Sequence, residues 1–218
     1  ELLDITEEWG TLALMGPLSR DVLTQVTEMD LGNESFPFGT CRSIKIQEHY
    51  VWALRVTYVG ELGWELHMPL NSAETVYDVL MESGKSFGIE NAGYRAIESL
   101  RLEKGYRAWG TDITADTTPF EAGLGWAVKL KSETEFVGRE ALLAQQEQPL
   151  QKRLACFTIE DPDVVLLGRE TIIRNDKIVG WLTSGGWGYT VQKNIGYGYV
   201  SNPKGVDREY LISGNYEL

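Results

Sequence analysis

Every run with helical spacing of apolar residues in this chain lies before Gln146, and beyond about residue 152 only short β-rich runs remain. That asymmetry limits the fold more than any single motif does. Leu18, Val22 and Val26 recur every fourth residue after Gly16-Pro17, the stripe of an amphipathic helix. Asn71, with Glu74 three residues on, reads as a capping box. Val76, Val79, Leu80 and Ser83 share one face of the helix behind it, and Gly84 stops it. A third helix is expected over residues 94–104, with Ile97, Leu100 and Arg101 at helical spacing and Gly105 as its stop. Gly138-Arg139-Glu140 opens a last helix through Gln145. Strands are expected at 11–15, 41–47, 51–57 and 64–68, and the apolar run 122–130 also reads as a strand.

The polar stretch 145–152 reads as a linker. After it, short strands near 154–159, 170–174, 177–183 and 196–200 alternate with Gly and Asn-Asp turns, without helical periodicity. The expected fold class is therefore α+β: a mixed domain over residues 1–151, then a small antiparallel β-barrel over 152–218. No internal repeat is visible.

Composition narrows the function classes. With 218 residues, 43% of them hydrophobic, the chain can bury a sizeable core, and it lacks an apolar run long enough for a membrane-spanning helix. A net charge of −12 argues against a nucleic-acid or anionic-membrane surface, so an anionic ligand would need a local basic cluster. Cys41 and Cys156 lie far apart, which fits a reducing compartment and no zinc spacing. His49 and His67 also lack ligand-like spacing, so no metal site is expected. The start, Glu-Leu-Leu-Asp, has no initiator Met and no signal-peptide pattern, and suggests a segment cut from something longer.

The segment 55–65, Arg-Val-Thr-Tyr-Val-Gly-Glu-Leu-Gly-Trp-Glu, places Tyr58 and Glu65 on either side of a Gly-punctuated turn. A carboxylate accepts two parallel N–H bonds from one edge of a flat heterocycle, and a tyrosine offers a ring face and a hydroxyl. These residues suit an aminopyrimidine or pterin; they equally make a plain hairpin with a surface glutamate. Trp126, in Phe120-Glu121-Ala122-Gly123-Leu124-Gly125-Trp126, reads either as a stacking surface or as core. Glu98 and Arg101 are spaced for a salt-bridged, solvated helix face. Thr183-Ser184-Gly185-Gly186-Trp187-Gly188-Tyr189 reads as an aromatic-bearing loop that closes over the first domain, and its glycines lack a phosphate-cradling order.

Taken in order, Leu14-Met15-Gly16-Pro17, Thr57-Tyr58-Val59-Gly60-Glu61-Leu62-Gly63-Trp64-Glu65, Leu100-Arg101-Leu102-Glu103-Lys104-Gly105, Thr118-Pro119-Phe120-Glu121-Ala122-Gly123-Leu124 and Thr183-Ser184-Gly185 closely resemble the aminomethyltransferase family, the T-protein of the glycine cleavage system. Tyr106-Arg107-Ala108-Trp109-Gly110 is similar to the folate-binding C-terminal half of sarcosine and dimethylglycine dehydrogenases. The resemblance implies tetrahydrofolate as cofactor and a folate domain followed by a barrel. It also implies one-carbon transfer from a small N-methylated amine or an aminomethyl carrier, giving 5,10-methylenetetrahydrofolate. Glu65 would hold the pterin edge, with Tyr58 and Trp126 near it. The folate-contacting arginine of the family is replaced by Ile97, leaving Arg95 or Arg107 for the anionic tail. The family's catalytic aspartate would lie upstream of Glu1, and FAD would come only from a preceding domain or a partner. The compartment implied is bacterial cytoplasm or, in a eukaryote, the mitochondrial matrix. A non-catalytic folate-binding module, similar to the pyruvate dehydrogenase phosphatase regulatory subunit, is the alternative function.

Overall fold

The computed structural model describes residues 2–218. The chain forms two compact units, Glu1–Ile97 and Glu98–Leu218. No helix among the described residues is long and apolar enough to cross a membrane.

The first unit is a four-stranded antiparallel sheet of order β1-β4-β3-β2, built from β1 (Trp9–Met15), β2 (Cys41–Ile46), β3 (His49–Leu54) and β4 (Gly63–Pro69). Alternation decides its two faces. Leu14, Ile44, Ile46, Val51, Ala53, Trp64, Leu66 and Met68 are buried on one face. There they meet Val22 and Leu23 of α1 (Ser19–Thr24) and Val76 and Leu80 of α2 (Leu70–Gly84). The alternate residues, Thr11, Ala13, Trp52, Glu65 and His67 among them, belong to the other face.

Several local expectations change. α1 is shorter than its apolar stripe and ends before Val26. α2 starts at Leu70 with extended Pro69 at the cap position and no side-chain cap, so Asn71 is already inside the helix and the capping box does not form. Pro69 fixes the strand-to-helix corner instead. β3 ends at Leu54, which leaves residues 55–62 as a loop rather than an extension of the strand.

The second unit holds the C-terminal half of α3 (Tyr94–Lys104), then α4 (Arg139–Gln146) and a five-stranded antiparallel sheet of order β5-β8-β7-β6-β9. Its strands are β5 (Lys152–Ile159), β6 (Thr171–Arg174), β7 (Lys177–Gly188), β8 (Lys193–Ser201) and β9 (Tyr216–Glu217), curled as a half-barrel over Leu166, Ile172, Leu182 and Val200. Asn175 and Asp176, both at positive φ (49° and 62°), make the tight turn between β6 and β7. The run 122–130 is turns and a short 3-10 stretch, not a strand: Ala122, Gly123 and Leu124 bond back to residues 118–120. A short helix, α5 (Arg208–Ile212), was not expected; Asp207 caps it by accepting from the Tyr210 amide at 2.7 Å.

Residues 183–188 are not a loop. They pair with β8 as far as Gly188 opposite Lys193. Glycine is needed there for close approach, since a Cβ on Gly185 would stand 2.7 Å from the Leu166 side chain.

Candidate functional site

In the first unit, the loop 55–62 carries Tyr58 and delivers the chain into β4. The Thr57 hydroxyl accepts from the Val59 and Gly60 amides at 3.2 and 2.9 Å, a side-chain-made turn. The far end is tied to β1 and α1: Leu62 O accepts from the Gly16 amide at 2.8 Å and from the Ser19 hydroxyl at 2.9 Å. Gly63 follows because a Cβ there would lie 2.4 Å from Leu14 O. These ties fix where β4 begins, and with it the side on which Glu65 emerges.

Glu65 stands opposite Ala13 of β1 and Leu54 of β3. Its carboxylate thus rises between a methyl group and a half-buried leucine, with its side chain 33% exposed. Among the described residues no lysine or arginine pairs with it. Its neighbour on β4 is His67, whose Nε2 lies 3.5 Å from Glu65 Oε2. The other ring nitrogen, Nδ1, is 2.9 Å from the Thr11 hydroxyl. Beyond His67 on the same face, Trp52 and Trp9 pack with ring centroids 5.2 Å apart. An acceptor-only group beside apolar and aromatic surface can bind the N–H edge of a flat heterocycle.

Tyr58 is half-buried in the loop that leads to Glu65. A separate concavity of about 220 Å³ in this unit is lined by Phe38, Arg55, Thr57 and Glu61, and includes neither Tyr58 nor Glu65. Arg95 opens α3 exposed and without an ion pair among the described residues.

In the second unit, Trp126 is not core. It is 83% exposed and borders a concavity of about 390 Å³ with Phe120, Gln145, Leu150 and Arg153. Arg107 donates through Nε to Ala122 O at 3.0 Å and through Nη1 to Gly105 O. Its guanidinium therefore ties two turns together. The structure places Tyr58, Glu65 and Arg95 in the first unit, and Arg107 and Trp126 in the second.

The largest feature missed from sequence is ionic. Arg101 is only 1% exposed and does not lie on a solvated helix face. It bonds Glu98 through Nε and Nη2 at 3.1 and 2.7 Å, Asp112 through Nη1 at 2.5 Å and the Ser184 hydroxyl at 2.8 Å. Asp112, equally buried, also accepts from the Ala108 amide and the Thr183 and Ser184 hydroxyls. One carboxylate thus joins α3, the loop after it and β7. The available signal was Arg101's place on the apolar stripe with Ile97 and Leu100.

Nearby, Tyr197 donates to Leu102 O at 3.1 Å. Burial, reinforced by Cys156, pushes its phenol well above the ordinary tyrosine range. Tyr199 and Tyr216 shift upward too, again mainly through burial. A raised native value means stability is intact below the unfolded-state value of about 10 and falls as pH rises beyond it. Absorbance titration should therefore leave Tyr197, Tyr199 and Tyr216 un-ionised near pH 10 until the chain unfolds. Ionisation of all ten tyrosines in one step of the folded protein would refute this.

Comparison with known proteins gives a consistent result. The GCVT N-terminal domain matches residues 1–132, and the glycine cleavage T-protein C-terminal barrel domain matches residues 152–213. Mitochondrial sarcosine dehydrogenase of Mus musculus is 46% identical over the whole chain, and mitochondrial dimethylglycine dehydrogenase of Homo sapiens 42% identical over 92% of it. The chain spans about a quarter of either relative, 24% and 23%. The crystal structure of glycine cleavage system aminomethyltransferase T from Bartonella henselae superposes with a TM-score of 0.75 at 29% identity, covering 88% of this chain and 52% of that one. The chain belongs to the glycine cleavage T-protein (GCVT) family.

Proposed function

We propose that this chain binds a reduced folate at Glu65 and positions it for one-carbon transfer that ends in 5,10-methylenetetrahydrofolate. The observation that carries the reading is the Glu65 carboxylate, held on the face of the sheet away from the helices and paired with no lysine or arginine among the described residues. A pterin edge carries adjacent amino and ring N–H donors, and two carboxylate oxygens accept both. The residues present fit that group: Ala13 and Leu54 flank the carboxylate without competing donors.

Bound tetrahydrofolate supplies the two nitrogens that take up the one-carbon unit. The chain's part is orientation, which can contribute several orders of magnitude in rate. Glu65 fixes the heterocycle's edge and Tyr58 lines the same pocket. Trp126 offers an exposed ring for stacking, and Arg95 and Arg107 carry charge suited to an anionic tail. The domains at work are those of residues 1–151 and 152–218, and the donor is a small N-methylated amine or an aminomethyl carrier. The family membership and the sarcosine and dimethylglycine dehydrogenase relatives support this choice of chemistry.

Calorimetry with 5-formyltetrahydrofolate, a stable reduced folate, tests the reading. Glu65→Ala is expected to weaken binding by about 2 kcal/mol, about thirtyfold in Kd, as for loss of a charged hydrogen-bond partner. Unchanged affinity in that variant would remove Glu65 from the site.

A further inference from the structure

We infer that His67 is a positioning residue for Glu65 and that Thr11 selects the tautomer in which it acts. This rests on the reduced-folate reading of Glu65. The three residues form a chain across two strands: the Thr11 hydroxyl lies 2.9 Å from His67 Nδ1, and His67 Nε2 lies 3.5 Å from Glu65 Oε2. Thr11 and His67 are direct cross-strand partners, as are Ala13 and Glu65, so the β1–β4 register alone brings the chain together.

The proton's place follows from charge. If Nδ1 carried the hydrogen of a neutral ring, the Nε2 lone pair would face the carboxylate and repel it. If Thr11 donates to Nδ1, the hydrogen sits on Nε2 and its dipole points at Oε2. The carboxylate and the threonine therefore favour the same tautomer from opposite ends of the ring, the arrangement by which an outer hydrogen bond fixes an imidazole.

The consequence concerns ligand geometry. Each carboxylate oxygen has two lone-pair directions. A single donor at Oε2, 3.5 Å away, takes at most one of these directions, so two parallel N–H donors can still be accepted. His67 thus holds the plane of the carboxylate and leaves its binding edge open. Trp52 is the cross-strand partner of His67 on β3, as Thr11 is on β1. Other titratable side chains on this face are Tyr50 on β3 and Lys45 and Cys41 on β2; Lys45 pairs with Tyr50 in register, and Cys41 with Leu54, the partner of Glu65.

Two readouts on the 218-residue chain test this. With only two histidines, nitrogen-15 NMR resolves the ring tautomer of His67 directly. At about pH 8, above the usual range for imidazole protonation, hydrogen on Nε2 is expected; a ring with its hydrogen on Nδ1 overturns the inference, folate or no folate. Calorimetry with 5-formyltetrahydrofolate supplies the second. His67→Leu should weaken binding about tenfold, and His67→Gln, which keeps an N–H near the Nε2 position, should stay within about twofold of wild type. Thr11→Val should raise the Nδ1-protonated population. If Glu65→Ala loses affinity but His67→Leu binds like wild type, the inference fails and the folate reading stands. If both variants bind like wild type, the folate reading fails and the inference falls with it.

Discussion

Asp112→Ala is expected to destabilise the second unit by about 3–5 kcal/mol, the cost of leaving a buried charge without its partner. The removed carboxylate accepts from Arg101, the Ala108 amide, Thr183 and Ser184. Glu98 would remain to pair with the guanidinium. It is 30% exposed, however, and bonds Nε and Nη2, so Nη1 would lose its carboxylate and keep its bond to Tyr106 O at 3.2 Å. Urea unfolding should show a lower midpoint in Asp112→Ala, and a similar loss in Arg101→Met, which strands Asp112 instead. The double variant Arg101→Met/Asp112→Ala should lose less than the sum of the two, because neither charge is then left alone. Additive losses would mean that the pair is not the joint holding α3 to β7.

Trp64→Ala should cost the first unit about 3–5 kcal/mol, the usual range for deleting a large buried aromatic side chain. Trp64 is fully buried, with the Phe36 ring edge-on at 6.0 Å and the Arg55 guanidinium 5.7 Å above it. The cavity would open directly under the start of β4. Trp64→Phe is the informative partner. The indole Nε1 is buried without a hydrogen-bond partner, so phenylalanine removes no bond and should cost less than about 1.5 kcal/mol. Equal losses in the two variants would show that the ring volume phenylalanine retains contributes nothing at this position.

The contrast between these two sites shows what the sequence made legible. Trp64, Leu66 and Met68 alternate with Glu65 and His67, so the strand, its buried face and the side of Glu65 can be read from period alone. The turn at Asn175-Asp176 is equally local, because few side chains tolerate two successive positive φ values. The Arg101 network is not local: its side chain reaches Asp112 and Ser184, 11 and 83 residues away. Only the oddity of an arginine on an apolar stripe hinted at it.

Where expectations failed, tertiary geometry overrode local pattern. The glycines of residues 185–188 suggested a loop, because a glycine-rich run lowers strand propensity. In the fold a Cβ at Gly185 would stand 2.7 Å from the Leu166 side chain, and one at Gly188 2.7 and 2.8 Å from Ile195 and Val191. The apolar run 122–130 alternates poorly and carries Gly123 and Gly125, and its backbone closes turns instead of extending. Asn71 had the right spacing to cap α2, but Pro69 sets the corner two residues earlier. The family motifs were legible because they are contiguous. The Thr11–His67–Glu65 chain was not, since it depends on a register between strands 56 residues apart.

Reduced-folate binding is expected on the sheet face presenting Glu65. Its most direct test is nitrogen-15 NMR of the 218-residue chain titrated with 5-formyltetrahydrofolate. Saturable shifts are expected at the backbone amides of Ala13, Leu54 and Glu65, at the Trp52 indole and at the His67 ring, with half-saturation about thirtyfold higher in Glu65→Ala. Shifts that saturate elsewhere while these five groups stay unmoved would contradict it.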